Sequence, residues 1–80
     1  MPRVRIRMEV RRNPLPYAPN TVEVHAVFTT PDGFRVEKVN NFGAKVPAKQ
    51  IFQFFIREVL QEYIEWKKRP EVYEEEIEVE

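Results

Sequence analysis

Residues 46–70, VPAKQIFQFFIREVLQEYIEWKKRP, are the only stretch long and apolar enough to carry one face of a core. At about 100° per residue, Phe52, Phe55, Ile56, Val59, Tyr63 and Trp66 fall on one stripe, so the period is helical. Pro47 suits the first helical position, where its missing N–H costs nothing. Lys67, Lys68 and Arg69 place positive charge at the negative end of the helix dipole, and Pro70 forbids continuation. The start is less well made: Val46 is a poor cap, and Lys45 and Lys49 put the wrong sign near the positive end of the dipole. Such a helix needs a sheet to pack on.

Eighty residues make a single domain, 1–80, and a chain this short depends on a few large side chains for its stability. Six Phe, three Tyr and one Trp supply them. A hydrophobic fraction of 42% beside 32% charged residues is globular rather than disordered. With no cysteine there is neither a disulfide staple nor thiolate chemistry. No apolar run approaches the roughly 18 residues of a membrane span, and the first residues lack the apolar centre of a signal peptide, so a cytosol-compatible protein is expected.

Ahead of the helix, RVRIRMEVR (3–11) alternates, with Val4, Ile6, Met8 and Val10 on one face and Arg3, Arg5, Arg7, Glu9 and Arg11 on the other. NPLPYAPN (13–20) is an irregular, Pro-rich connection, whose Leu15 and Tyr17 either cap the core or face a partner. TVEVHAVFTT (21–30) is a second strand with Val22, Val24, Ala26 and Phe28 inward. Pro31, Asp32 and Gly33 then signal a hairpin, with a type I turn and positive φ at the glycine. FRVEKV (34–39) is the antiparallel third strand; its alternation slips at Lys38 and Val39, which implies a bulge or an outward Val39. NNFGAKV (40–46) leads to the helix. VYEEEIEVE (72–80) is expected as a last strand with Tyr73, Ile77 and Val79 inward and Glu75 breaking that face.

The predicted order is β-β-β-α-β: an α+β, two-layer fold in which one long helix packs on one face of a four-stranded mixed sheet. A helix between the third and fourth strands is the crossover that joins parallel strands. Charge selects the last strand's neighbour. Arg3, Arg5, Arg7, Arg11 and Arg12 load the start, and Glu71, Glu74, Glu75, Glu76, Glu78 and Glu80 load the finish, although the net charge is zero. Outward Glu76, Glu78 and Glu80 beside outward Arg3, Arg5 and Arg7 give cross-strand pairs worth at most about 1 kcal/mol each, hence order 3-2-1-4. The other reading of the same rows is a basic arm for nucleic acid with an acidic tail.

The Arg/apolar and Glu/apolar alternation, the Pro-Asp-Gly hairpin, the Pro-bounded helix with a basic last turn, the PEVYEEEIEVE ending and the lack of cysteine resemble a computationally (de novo) designed α+β miniprotein. The resemblance is one of style across most of the chain and carries no functional residues with it. Segments 13–20 and 40–46 depart from the short standard loops of such proteins.

Catalytic sets are scarce. One histidine, no cysteine and one aspartate, placed in a turn, exclude nucleophile–base triads, and no enzyme activity or cofactor is expected. Glu9, Glu23 and His25 share an outer face, where a lone histidine with two acids reads as solvated surface rather than a metal site. Gly33 and Gly43 are isolated turn residues, not a phosphate loop. Nucleic-acid sheets carry exposed aromatics among basic residues, whereas the aromatics here lie inward.

Another protein, or a second copy of the chain, is therefore the expected partner, through the outer helix face or an exposed sheet edge. Phe54 projects almost opposite the core stripe, among Arg57, Glu58, Gln61 and Glu65. Leu60 and Ile64 widen the apolar arc, either as a broad core or as a patch. Phe54 is expected either to be covered by residues 40–46 or to anchor a contact surface that takes in Ile51 and the flanks of Arg57 and Glu58. Tyr17, Phe54, Ile51, Arg57, Leu60 and Ile64 are the candidate contact residues.

Overall fold

The computed structural model describes residues 3–80. Three antiparallel strands, β1 (Arg7–Pro14), β2 (Thr21–Thr29) and β3 (Arg35–Gly43), form a meander in the order β1-β2-β3, and one helix, α1 (Ala48–Lys68), packs across one face. The register aligns Met8, Phe28 and Val36 across the sheet, then Val10, Ala26 and Lys38, then Arg12, Val24 and Asn40. Side chains alternate between faces along a strand, so these rows share the side under the helix. Val24, Ala26 and Phe28 of the central strand are fully buried against Ile51, Phe55 and Val59 of α1, with Phe34 closing one end. Phe28 meets Phe52 at 5.9 Å and Phe55 edge-on at 6.1 Å, the geometry that aromatic quadrupoles favour.

The local predictions hold where chemistry acts over a few residues. Gly33 takes φ 101°, and the turn closes through Thr30 N–H to Phe34 O at 3.1 Å and Gly33 N–H to Thr30 O at 3.1 Å. β1 and β3 begin and end later than their alternation suggests, while β2 stands where expected: β1 runs into the Pro-rich segment as far as Pro14, and β3 absorbs Asn40 to Gly43. No bulge interrupts β3. Its pairing with β2 is continuous, leaving Val39 outward and Lys38 inward. At the helix start, Pro47 is the extended residue before the first turn (φ −71°, ψ 154°) rather than part of it, and no side chain caps that end.

The four-stranded sheet of order 3-2-1-4 does not form. Residues 70–80 carry no ladder and are exposed throughout, and Arg7 pairs with Glu9 on its own strand at 2.9 Å instead of with a glutamate of the last segment. Composition explains why: six of the ten residues 71–80 are glutamates, which fit a strand poorly, and Glu75 stands on the face that would have to be buried. Trp66 meets Phe34 at 5.5 Å with the rings tilted, and Lys67 bonds Asp32 at 3.1 Å, so α1 ends over the β2–β3 turn. Among the described residues, no helix is long and apolar enough to cross a membrane.

Candidate protein-binding surface

The two flanks of α1 differ. Phe54 meets Phe42 of β3 edge-on at 5.2 Å, and Glu58 accepts a hydrogen bond from Lys38 of β3 at 2.7 Å, so this flank overhangs β3. Ile56 and Leu60 lie on the opposite side of the helical wheel and so overhang β1. Lys38 occupies an inward position, its side chain only 14% exposed, because its stem lies on apolar surface while its ammonium reaches two acids. Glu62 Oε2 approaches that ammonium at 2.6 Å, as an ion pair without hydrogen-bond alignment. Desolvation pulls the Lys38 pKa down, but Glu58 and Glu62 outweigh it and leave the pKa raised.

Phe54 combines the two alternatives that the sequence left open. Phe42 covers one side of its ring and Phe55 touches it edge-on at 5.0 Å, yet Phe54 remains 59% exposed. The segment that supplies Phe42 continues into a shallow concavity of about 500 Å³ lined by Asn20, Gly43, Ala44, Lys45 and Val46. Asn20 adopts φ 68°, and its carbonyl accepts the Ala44 N–H at 2.8 Å, which ties the β1–β2 connection to the entry of α1. The first helical turn holds no acid and no side-chain cap. Its uncapped N–H groups, with Lys45, Lys49 and Arg57 nearby in sequence and exposed, make this end electropositive.

The other candidate contact residues disperse. Ile51 is fully buried and is a core residue rather than part of a surface. Arg57 is exposed, about 60° around the helix from Phe54. Leu60 is half-buried and Ile64 exposed on the far side; Leu60 stands about 120° from Phe54, too far around for one flat contact. Tyr17 is 79% exposed on the β1–β2 connection and does not cap the core. Phe42 and the concavity beside it are the additions that sequence reading could not supply, because strand pairing and chain return bring them together.

The outer sheet face holds a second concavity, about 560 Å³, among Arg7, Glu9, Arg11, His25, Arg35 and Glu37. His25 Nε2 lies 2.7 Å from Glu23 Oε1 and its Nδ1 lies 3.5 Å from Glu37 Oε1. The hydrogen bond with Glu23 raises the imidazole pKa; partial burial opposes this and Glu37 adds to it. Among the described residues, no group of three or more His, Cys, Asp or Glu is arranged to hold a metal ion. This face carries Arg7, Glu9 and Arg11 of β1, Glu23, His25 and Val27 of β2 and Arg35, Glu37 and Val39 of β3, with no Phe, Tyr or Trp among them.

At the other end of α1, Asp32 accepts hydrogen bonds from Thr30 Oγ1, from Tyr63 Oη at 2.6 Å and from Lys67 Nζ at 3.1 Å. These bonds, Thr30 first, hold its carboxyl well below the usual carboxylate range, and the Asp32 bond raises the Tyr63 phenol. The cluster pins the helix end to the β2–β3 turn, and its acid stays ionised, so it offers no proton donor near neutral pH. Comparison with protein-family models, curated proteins and solved structures finds no match for this chain.

Proposed function

We propose that this chain is a non-catalytic protein-binding module that engages its partner through Phe54. The observation that carries this reading is an aromatic ring left 59% exposed at the start of a helix, braced on Phe42. Braced aromatics lose little conformational entropy on binding and are favoured anchors. The concavity formed by Asn20 and residues 43–46 suits a small apolar side chain. The uncapped helix start with Lys45 and Lys49 favours an acidic group next to it. A designed origin fits this reading: regular patterning makes the scaffold, and Phe54 departs from the Lys, Glu or Gln usual at such a position.

The test is selection of displayed peptides that combine an aliphatic residue with acids, followed by counter-screening against Phe54→Glu. Binders lost on that variant, with its denaturant midpoint close to the parent's, support the module. Unfolding of the variant makes Phe54 structural, and failure to select any binder favours a fold-design protein without a ligand. A nucleic-acid reading draws support from the row Arg3, Arg5, Arg7 and Arg11, which residues 71–80 leave uncovered, and is opposed by Glu9, which stands between Arg7 and Arg11 and pairs with Arg7 at 2.9 Å. Retention on heparin at moderate salt decides it, since phosphate-type contacts weaken steeply with salt.

A further inference from the structure

The chain exposes more surface than its mass requires. Its accessible area is 7113 Å², whereas a compact monomer of 9.6 kDa exposes about 5,100 Å². The excess, about 2,000 Å² on one chain, is more than twice the roughly 800 Å² that each partner buries in a standard protein–protein interface. Its radius of gyration is 17.8 Å, against about 12 Å for a compact chain of this length. Residues 71–80 contribute to both: Val72, Tyr73, Ile77 and Val79 are between 73% and 85% exposed. In an extended segment Tyr73, Ile77 and Val79 share one face, and Glu74, Glu76, Glu78 and Glu80 the other.

The matching surface lies along β1. Among the described residues its outer edge is unpaired, and its outward row together with the residues before it carries Arg3, Arg5, Arg7 and Arg11, with Glu9 among them 2.9 Å from Arg7. Above that edge, the flank of α1 that overhangs β1 holds Ile56 and Leu60, half-buried, with Ile64 exposed beyond them. A three-stranded sheet is too narrow to cover this flank. The chain's own residues 71–80 do not occupy this edge and stand exposed throughout, which leaves it open to those of another molecule.

We infer that two copies of this chain associate by exchanging residues 71–80, each segment lying as an added strand on the free β1 edge of the other. Each chain's own sheet remains three-stranded. The four glutamates on one face of the segment stand beside the arginine row on the outer face of the sheet, and Tyr73, Ile77 and Val79 enter beneath Ile56 and Leu60. Reciprocal exchange closes the pair with two-fold symmetry and leaves no further edge of this kind to propagate a chain. The surface is distinct from the one around Phe54.

Sedimentation of the full chain from about 1 μM to about 1 mM tests the inference. The expected species is a dimer that weakens as salt rises. Two charge-reversed variants, Arg5→Glu with Arg7→Glu and Glu76→Arg with Glu78→Arg, each place like charges at both contacts and should be monomeric where the parent is dimeric. All four positions are exposed, and circular dichroism checks that each variant keeps the parent's fold. Mixed together, the two variants restore opposite charges at both contacts, and the heterodimer should form at least about tenfold more tightly than either variant alone. Phe54→Glu should leave the dimer intact. A monomeric parent at about 1 mM, dimeric charge variants, or a mixture without rescue each overturns the inference. Loss of the dimer in Phe54→Glu also overturns it, and moves self-association to the Phe54 surface without touching the proposed function.

Discussion

β2 and residues 71–80 share a two-residue apolar period, and only β2 is a strand. Val24, Ala26 and Phe28 are fully buried, while Tyr73, Ile77 and Val79 stand in solvent. What separates them is company. β2 has a pairing partner on each edge and α1 over its inner face. The last segment has six glutamates in ten residues, one of them, Glu75, on its apolar face. Alternation states which face of a segment is apolar. It does not state that a neighbour is within reach, and an isolated strand leaves its backbone groups to water.

The sharpest way to break this comparison is truncation of matched side chains. Phe28→Ala or Phe55→Ala should each lower stability by about 3–5 kcal/mol, because a cavity in so small a core cannot collapse. Ile77→Ala, measured at a dilution that keeps the chain monomeric, should change it by less than about 0.5 kcal/mol. Denaturant midpoints read both. A large loss at Ile77 in the monomer would mean that the last segment packs on its own chain.

Backbone geometry comes next in size. Gly33→Val should cost about 1–3 kcal/mol, since a β-branched residue resists positive φ. Nothing lies within 4 Å of a Cβ added there, so the whole loss is conformational. Gly33→Asn should recover part of it, as asparagine tolerates the left-handed region. Equal losses in the two variants would point to a steric cause instead.

The helix, the β2–β3 hairpin and the inward faces of β1 and β2 were legible because each rests on interactions a few residues long: helical period, turn chemistry, alternation. Lys38 was not. Its apparent slip in the β3 pattern is resolved by Glu58, twenty residues away on the helix. Asp32 looked like a turn residue and is also the anchor for Tyr63 and Lys67, more than thirty residues on. The odd position of Phe54 was visible from the helical period, but its brace on Phe42 depends on where β3 ends. The charge rows suggested a fourth strand because they describe complementarity, which does not by itself make a glutamate-rich segment pair.

Lys38 offers a finer test of buried charge on an otherwise apolar face. Lys38→Ala should cost about 1–2 kcal/mol by stranding Glu58 and Glu62. Lys38→Met keeps the stem that packs under the helix and should cost less than alanine, since partly buried ion pairs contribute little beyond their packing. Thermal unfolding of the two variants side by side checks the order, and a methionine variant weaker than the alanine one would assign the charge a larger role than its packing.

The smallest expected effect lies on the face away from the helix, at His25. Its hydrogen bond with Glu23, with Glu37 on its other nitrogen, raises its pKa in the folded chain above the unfolded value. A raised folded pKa means that protonation favours the folded state. The contribution is therefore complete below about pH 6.5, the unfolded histidine value, and fades as pH rises through the higher folded value. Arg11 and Val39 flank His25 in register, and arginine keeps its charge throughout this range. The denaturant midpoint should fall modestly as pH rises above about 6.5, and His25→Gln should flatten that slope while leaving the fold intact. A slope that survives in His25→Gln would have to come from another group, and the histidine with its two glutamates would then be only a solvated face.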